Sequence, residues 1–359
     1  MRNIVVVPAH YKGTSFEEIS RAFKIAAERQ NLDVSFVGGK VFPNNLPHGQ
    51  LDDLDYTREQ LKILQQLIEI EPKQKGEPLR ILFLDAFNPG LDILRYAHTQ
   101  RGVNATYSAL VHGGSYLEND LYSETWVSPY EAAWLQSYNR LYVSSPYSKS
   151  KLSEDFQGKT VISPWGMDAF QPADPTDKDI DVIFPHRLDS DKGVKFFIDV
   201  AESMPHVRFL VTQATTDPIK MEESPYYKII QDLLNVSFAV GENDEDHHKT
   251  LRRSKIVFSH ARQELFGYSV MKAVLSDCIP VVPNDQCYPN FFPQPFRYAT
   301  KHEACTLIDS VLTQHKQMIS SPDFEQLKKQ ISSFSFGNIL SDFIRTAPSP
   351  ELVKWQMQR

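Results

Sequence analysis

The strongest constraint in this sequence is a rhythm. Short apolar runs of strand length alternate with amphipathic helical stretches, first in one series and then, after a polar, proline-bearing break, in another. The first series comprises "NIVVVPA" (3–9), "DVSFVGG" (33–39), "RILFLDAF" (80–87), "YSALVHGG" (107–114), "RLYVSS" (140–145) and "KTVISPWG" (159–166), with helical periodicity in "SFEEISRAFKIAAERQ" (15–30) and "DYTREQLKILQQLIEIE" (55–71). Continuous apolar runs, rather than alternating ones, are what strands buried on both faces require, and such strands belong to parallel sheets covered by helices. The segment "QPADPTDKDI" (171–180) reads as a linker. A second series follows in "DVIFPHR" (181–187), "VRFLVTQ" (207–213), "NVSFAVG" (235–241), "KIVFSHA" (255–261) and "IPVVPND" (279–285), interleaved with helical stretches such as "GVKFFIDVAESM" (193–204) and "ACTLIDSVLTQHKQMI" (304–319). The expected class is α/β, two doubly wound Rossmann-like domains facing each other across a cleft at the carboxyl ends of their sheets.

With 359 residues there is material for two cores of ordinary size. The formal charge of −7 is evenly spread: residues 1–170 carry 17 basic and 20 acidic side chains, and residues 171–359 carry 21 and 25. That excludes a globally basic nucleic-acid binder, though not a local basic groove. No apolar run reaches the ~20 residues of a membrane span, and the beginning of the chain reads as a first strand rather than a secretory leader. Cys278, Cys287 and Cys305 are not at zinc spacing and suit a reducing cytoplasm, the host's for a viral chain. The first strand is not followed by a G-x-G-x-x-G turn, and neither a Walker loop nor a G-x-S-x-G elbow occurs, which counts against dehydrogenases, P-loop enzymes and serine hydrolases.

Chemistry concentrates in two strand-to-helix junctions of the second series. In "FPHRLDSDKGVKFF" (184–197), Arg187 and Lys192 follow a strand and precede a helix that starts near Gly193. A helix N-terminus with its free N–H groups, joined by a guanidinium fork and an ammonium, makes a diphosphate site. In "HARQELFGYSVMKAVLSDC" (260–278), Glu264 and Gly267 stand at a second such junction. The acidic and histidine run "GENDEDHHKTLRRS" (241–254) reads as a solvated loop before a helix rather than a metal site, since consecutive residues do not converge on one ion.

These two junctions resemble the donor-binding half of retaining GT-B glycosyltransferases (the group 1, family 4-like enzymes). That family writes Arg, four residues, then Lys-Gly; here these are Arg187, Lys192 and Gly193. It then writes Glu, seven residues, Glu, with Phe-Gly after the first; here Glu264, Phe266 and Gly267 match, whereas the second carboxylate position holds Lys272. The resemblance extends to "PWGMDAFQP" (164–172) and to "FSFGNILSDFI" (334–344), and it implies an N-terminal acceptor-side domain over 1–168, a donor domain over 169–335 and a final helix, 336–359, returning to the first domain. It implies that Arg187 and Lys192 stabilise the leaving diphosphate, that Glu264 orients the sugar and that His112, in "ALVHGGSY" (109–116), steadies the sugar ring. His186, Gly193, Phe266, Gly267, Tyr268 and Lys272 would line the donor, and Tyr11, Lys12, Gly13, Gly113 and Tyr116 the acceptor side. The donor would be a nucleotide-diphosphate sugar, with no tightly bound cofactor and no metal.

A narrower likeness, carried by "FPHRLDSDKG", "HARQELFG" and "CIPVVPNDQCYPNFFP", is to queuosine-tRNA mannosyltransferases and to phage enzymes that glycosylate hydroxymethylated DNA bases. The acceptor it implies is a modified nucleobase, with "TLRRSK" (250–255), "SPYSKSKL" (145–152) and the tyrosines Tyr11, Tyr116, Tyr122 and Tyr130 as candidate contacts. A glycan, lipid or small-molecule acceptor, a sugar-nucleotide epimerase and a non-catalytic nucleotide-sugar binder stay open beside it. Oligomeric state is not legible.

Overall fold

In the computed structural model of the chain, residues 4–8, 15–38, 54–72, 78–117, 127–212, 221–239 and 244–346 are described. The apolar runs become parallel strands. In the first series they are β1 (Ile4–Val7), β2 (Val34–Phe36), β3 (Leu79–Phe83), β4 (Ala105–Leu110), β5 (Arg140–Val143) and β6 (Thr160–Ile162), with α1 (Ser15–Arg29), α2 (Leu54–Glu69), α3 (Leu91–Gln100), α4 (Val127–Ser137), α5 (Pro146–Lys151) and α6 (Glu154–Gln157) between them. All four residues of β1 and all six of β4 are buried, as a helix-covered parallel strand demands. The sheet order is β2-β1-β3-β4-β5-β6, so the winding direction reverses between β1 and β3. Its core joins Val5, Ile81, Phe83, Ala109 and Leu141 of the strands to Leu64, Leu67, Leu91, Leu94 and Leu135 of the covering helices.

The second series forms β7 (Ile180–Phe184), β8 (Phe209–Thr212), β9 (Val236–Ala239), β10 (Ser254–Phe258), β11 (Ile279–Pro283) and β12 (Arg297–Tyr298), with α7 (Val194–Ser203), α8 (Tyr227–Gln231), α9 (Asp244–Arg253), α10 (Tyr268–Leu275), α11 (Tyr288–Phe291), α12 (Lys301–Ile319) and α13 (Pro322–Ser332). The order β12-β11-β10-β7-β8-β9 is that of a dinucleotide-binding Rossmann sheet, with its switch point between β7 and β10. Those two strands pair in register Ser254↔Ile180, Ile256↔Val182 and Val257↔Ile183. Aromatic rings fill the interior: Phe184 stacks on Phe197 at 4.5 Å, and Phe209 and Phe258 pack around Phe197.

The last helix, α14 (Phe336–Phe343), belongs to the first unit, which comprises 1–169 and 335–359, while the second comprises 170–334. Buried Asp168 caps it, accepting hydrogen bonds from the Phe336 N–H at 2.9 Å and Ser335 Oγ at 2.8 Å, and pairs with Arg29 at 3.0 Å. Further along, Asp342 receives both arms of Arg140 at 3.0 Å and the Tyr142 hydroxyl at 2.9 Å. Phe336 stacks on Phe23 of α1 at 4.3 Å.

One expectation is corrected. The polar run from Asp244 is the first turn of α9 and not a loop: Glu245 and Asp246 lie at the helix N-terminus and pair with Lys249, while His247 turns inward to Thr212. Among the described residues no cluster of three or more His, Cys, Asp or Glu side chains is placed to hold a metal. The basic strip 250–255 is also engaged within its own unit, since Arg252 pairs with Asp277, Arg253 with Asp179 and Lys255 with Asp181. Among the described residues no helix is long and apolar enough to cross a membrane.

Candidate donor site at the switch point of the second sheet

The Arg187–Lys192 loop leaves β7, and the Glu264 loop leaves β10. These are the two strands on either side of the switch point, where open α/β sheets bind ligands at their carboxyl ends. The loops are clasped at one position. Gly193 has φ 69°, a left-handed conformation, and an added Cβ would lie 2.0 Å from the His260 carbonyl oxygen. Glycine alone permits that approach. A second tie lies beside it, where the Arg262 N–H donates to the Asp191 carbonyl at 2.7 Å.

The clasp brings the sequence-predicted charges together. The Lys192 ammonium donates to the Gln263 carbonyl at 3.2 Å and stands 3.8 Å from Glu264 Oε2. Glu264 Oε1 accepts the Gly267 N–H at 2.9 Å, so the carboxylate sits on the N-terminus of α10, where the helix dipole favours it. Gly267 itself has φ 83° and ends the loop. Arg187 is held more loosely, by Asp189 Oδ2 at 3.2 Å and Asp191 Oδ2 at 3.7 Å, with 36% of its side chain exposed. An exposed fork beside a half-buried ammonium, at the start of the ten-residue α7, is an arrangement able to receive a diphosphate.

Two of the expected donor contacts lie elsewhere. His186 is buried beneath the loop, with Nε2 2.8 Å from Ser259 Oγ, which is itself 2.6 Å from the Tyr288 hydroxyl. This chain joins the ends of β7 and β10 to α11, so His186 supports the site from below. Burial first, and then the charges of Lys192 and Arg187, push its pKa down to about 3. The Phe266 ring packs among Tyr268, Phe291 and Phe334 and fills the core beside α10. Tyr268 and Lys272 are both half-buried, one turn apart on α10.

In the first unit, His112 follows β4. Its Nε2 donates to the Leu84 carbonyl at 2.9 Å, and its ring meets Phe16 and Trp165, each at a centroid distance of 5.0 Å. That bond fixes the tautomer with the lone pair on Nδ1, and burial lowers the pKa to about 4, so the ring is neutral near pH 7. The glycines beside it serve the protein's own packing. A Cβ on Gly114 would strike Glu131 and Tyr116, and the Tyr116 hydroxyl closes its own turn onto the Gly113 carbonyl at 2.9 Å. Buried Glu131 in turn accepts the Ser115 N–H at 2.7 Å. Tyr11, Lys12, Gly13 and Tyr122 lie outside the described residues, and Tyr130 is exposed on α4.

His112, His186 and His260 all have pKa values depressed from 6.5, to about 4, 3 and 4, with burial as the leading cause in each. Below pH 6.5 the unfolded chain binds protons that the folded chain refuses. Their contribution to stability is therefore complete above pH 6.5 and is lost as pH falls to the folded values, about 4 for His112 and His260 and about 3 for His186. Near pH 5 each contributes a slope of ~1.4 kcal/mol per pH unit. Urea unfolding at pH 5 and 6 should show stability rising with pH, and His112→Gln should remove about one histidine's share of that slope; an unchanged slope would rule out a buried neutral His112.

Comparison with known proteins places these features. No family model matches the sequence. A tRNA-queuosine alpha-mannosyltransferase from Drosophila melanogaster is 32% identical over 133 residues, 36% of this chain and 35% of that protein, so the similarity spans about a third of either. Among solved structures, sucrose-phosphate synthase from Thermosynechococcus elongatus superimposes with a TM-score of 0.70 at 13% identity, covering 96% of this chain and 98% of its own. A glycosyltransferase from Rickettsia africae gives 0.67 at 14%, covering 99% and 100%, and Anabaena Alr3699/HepE in complex with UDP-glucose gives 0.62 at 16%, covering 96% and 98%. The expected fold class is borne out: two parallel six-stranded Rossmann-like sheets, matched over nearly their whole length by glycosyltransferase structures, give this chain the GT-B fold.

Proposed function

We propose that the chain is a retaining glycosyltransferase that moves a sugar from a nucleotide-diphosphate sugar to a hydroxyl on a modified nucleobase of a nucleic acid. The observation that carries the donor half of this reading is the Gly193–His260 clasp, which holds Arg187, Lys192 and Glu264 in one group at the switch point. The acceptor half is supported by the partial similarity to a tRNA-queuosine alpha-mannosyltransferase.

In this reading the bond from the sugar's anomeric carbon to the β-phosphate oxygen breaks while the bond to the acceptor oxygen forms on the same face. The acceptor's proton passes to the departing phosphate oxygen, and no protein nucleophile takes part. Arg187 and Lys192 stabilise the charge that develops on the diphosphate, the electrostatic role that accounts for most of the rate in such sites. Glu264 has one oxygen on the α10 amides and a second 3.8 Å from Lys192, and this second oxygen accepts sugar hydroxyls. The neutral His112 carries its acceptor lone pair on Nδ1, and in this reading that nitrogen takes a sugar hydroxyl.

The test is incubation of the purified chain with queuosine-containing tRNA, and separately with hydroxymethylated DNA, in the presence of GDP- and UDP-hexoses. Mass spectrometry of the nucleosides should show a gain of one hexose on the modified base, in the same anomeric configuration as the donor. Turnover only on glycans, lipids or small molecules would remove the nucleobase acceptor, and donor hydrolysis with inverted configuration would remove retention.

A further inference from the structure

Arg187 and Lys192 do not stand as bare cations. Asp191 Oδ2 lies 3.7 Å from Arg187 Nη2 and 3.3 Å from Lys192 Nζ, so one carboxylate oxygen is shared by both. Asp189 pairs with Arg187 alone, at 3.2 Å, and is half exposed. With Glu264 included, two cations face three carboxylates, and the cluster is not net positive. Asp191 is also fixed by its backbone, since its carbonyl receives the Arg262 N–H. Its side chain can rotate while its main chain stays in the clasp.

We propose that Asp191 is an internal counter-anion that competes with the diphosphate for Arg187 and Lys192, and so sets both the affinity of the donor and the release of the nucleoside diphosphate after transfer. This rests on the reading of the site as a diphosphate site. A singly charged ligand gains little by displacing a carboxylate that already satisfies both cations. A diphosphate carries enough charge to displace it and can engage the guanidinium fork and the ammonium at once. The competition acts on product as well as donor: when the sugar has left, the returning carboxylate hastens dissociation of the diphosphate. Asp191 makes two partly exposed ion pairs, each weak by itself, and removing both together shifts affinity by roughly 5- to 20-fold.

The experiment is calorimetric titration of inorganic pyrophosphate, UDP, GDP and ADP into wild type, Asp191→Asn and Asp189→Asn, with thermal melts confirming that each variant is folded. Asp191→Asn should bind the preferred nucleoside diphosphate and pyrophosphate about 5- to 20-fold more tightly, with slower dissociation, and Asp189→Asn should show a smaller gain. Damage to the fold would weaken binding, so a gain separates competition from a structural role. Equal or weaker binding by Asp191→Asn, when wild type binds, would overturn the counter-anion role and leave the site assignment standing. If no diphosphate binds wild type or either variant, the site assignment falls and the proposal falls with it.

Discussion

Arg187→Ala should slow sugar transfer by ~100-fold or more at saturating donor, the loss expected when one charge-stabilising donor is removed from a developing anion. The fold should be little affected. Arg187 is 36% exposed, and its partners, Asp189 and Asp191, are themselves solvent-accessible, so no buried charge is orphaned by its removal. Arg187→Lys should fall between the two, since an ammonium keeps the charge but cannot meet two phosphate oxygens as a planar fork. The measurement is kcat with melting curves alongside. A kcat within twofold of wild type would remove Arg187 from the reaction.

Gly193→Val is expected to disable the site by a different route. The residue must adopt φ 69°, which costs a non-glycine residue roughly 1–2 kcal/mol. Its Cβ must also occupy space 2.0 Å from the His260 carbonyl oxygen, and that neighbour is backbone that cannot rotate away. The loops after β7 and β10 would be forced apart, separating Lys192 from Glu264 and straining the Arg262–Asp191 bond. A total loss of about 3 kcal/mol or more is expected, in the range of strain plus overpacking, together with loss of nucleoside diphosphate binding in whatever protein remains folded. Urea unfolding gives the first quantity and calorimetry the second. A variant with native stability and native binding would show that the clasp is not needed.

The sequence revealed the strands well because parallel strands buried on both faces leave continuous apolar runs, and among the described residues eleven of the twelve strands lie under such runs. The two-residue β12 was missed, being too short to show a period and preceded by "FFPQPF", whose prolines read as a turn. The start of α9 was misread because its first residues, Asp244 to His248, are polar on every face except where His247 turns inward. At the site, Arg187, Lys192, Glu264 and Gly267 were legible because they stand at strand-to-helix junctions in the spacing of the GT-B motifs that they resemble. Their mutual placement was not, since it depends on β7 lying beside β10 across a crossover of some seventy residues, a property of the winding order. Asp191 was in plain view within "RLDSDKG", but its position between the two cations only follows from the turn at Ser190–Lys192. His186 and Phe266 were assigned to the ligand by their neighbours in sequence, yet the pleat at the end of β7 and the packing beside α10 direct both side chains inward.

In the proposed function, the anion received by Arg187 and Lys192 is the diphosphate of a nucleotide sugar. The most direct test is a thermal-shift panel of UDP-, GDP-, ADP- and CMP-sugars on wild type and Arg187→Ala. A ligand at 100 times its Kd stabilises the folded state by ~2.7 kcal/mol, which a melt resolves easily. One of the diphosphate donors should raise the melting temperature of wild type and leave Arg187→Ala almost unmoved. An equal shift in both proteins would contradict the role of Arg187, and no shift with any donor would contradict the site itself.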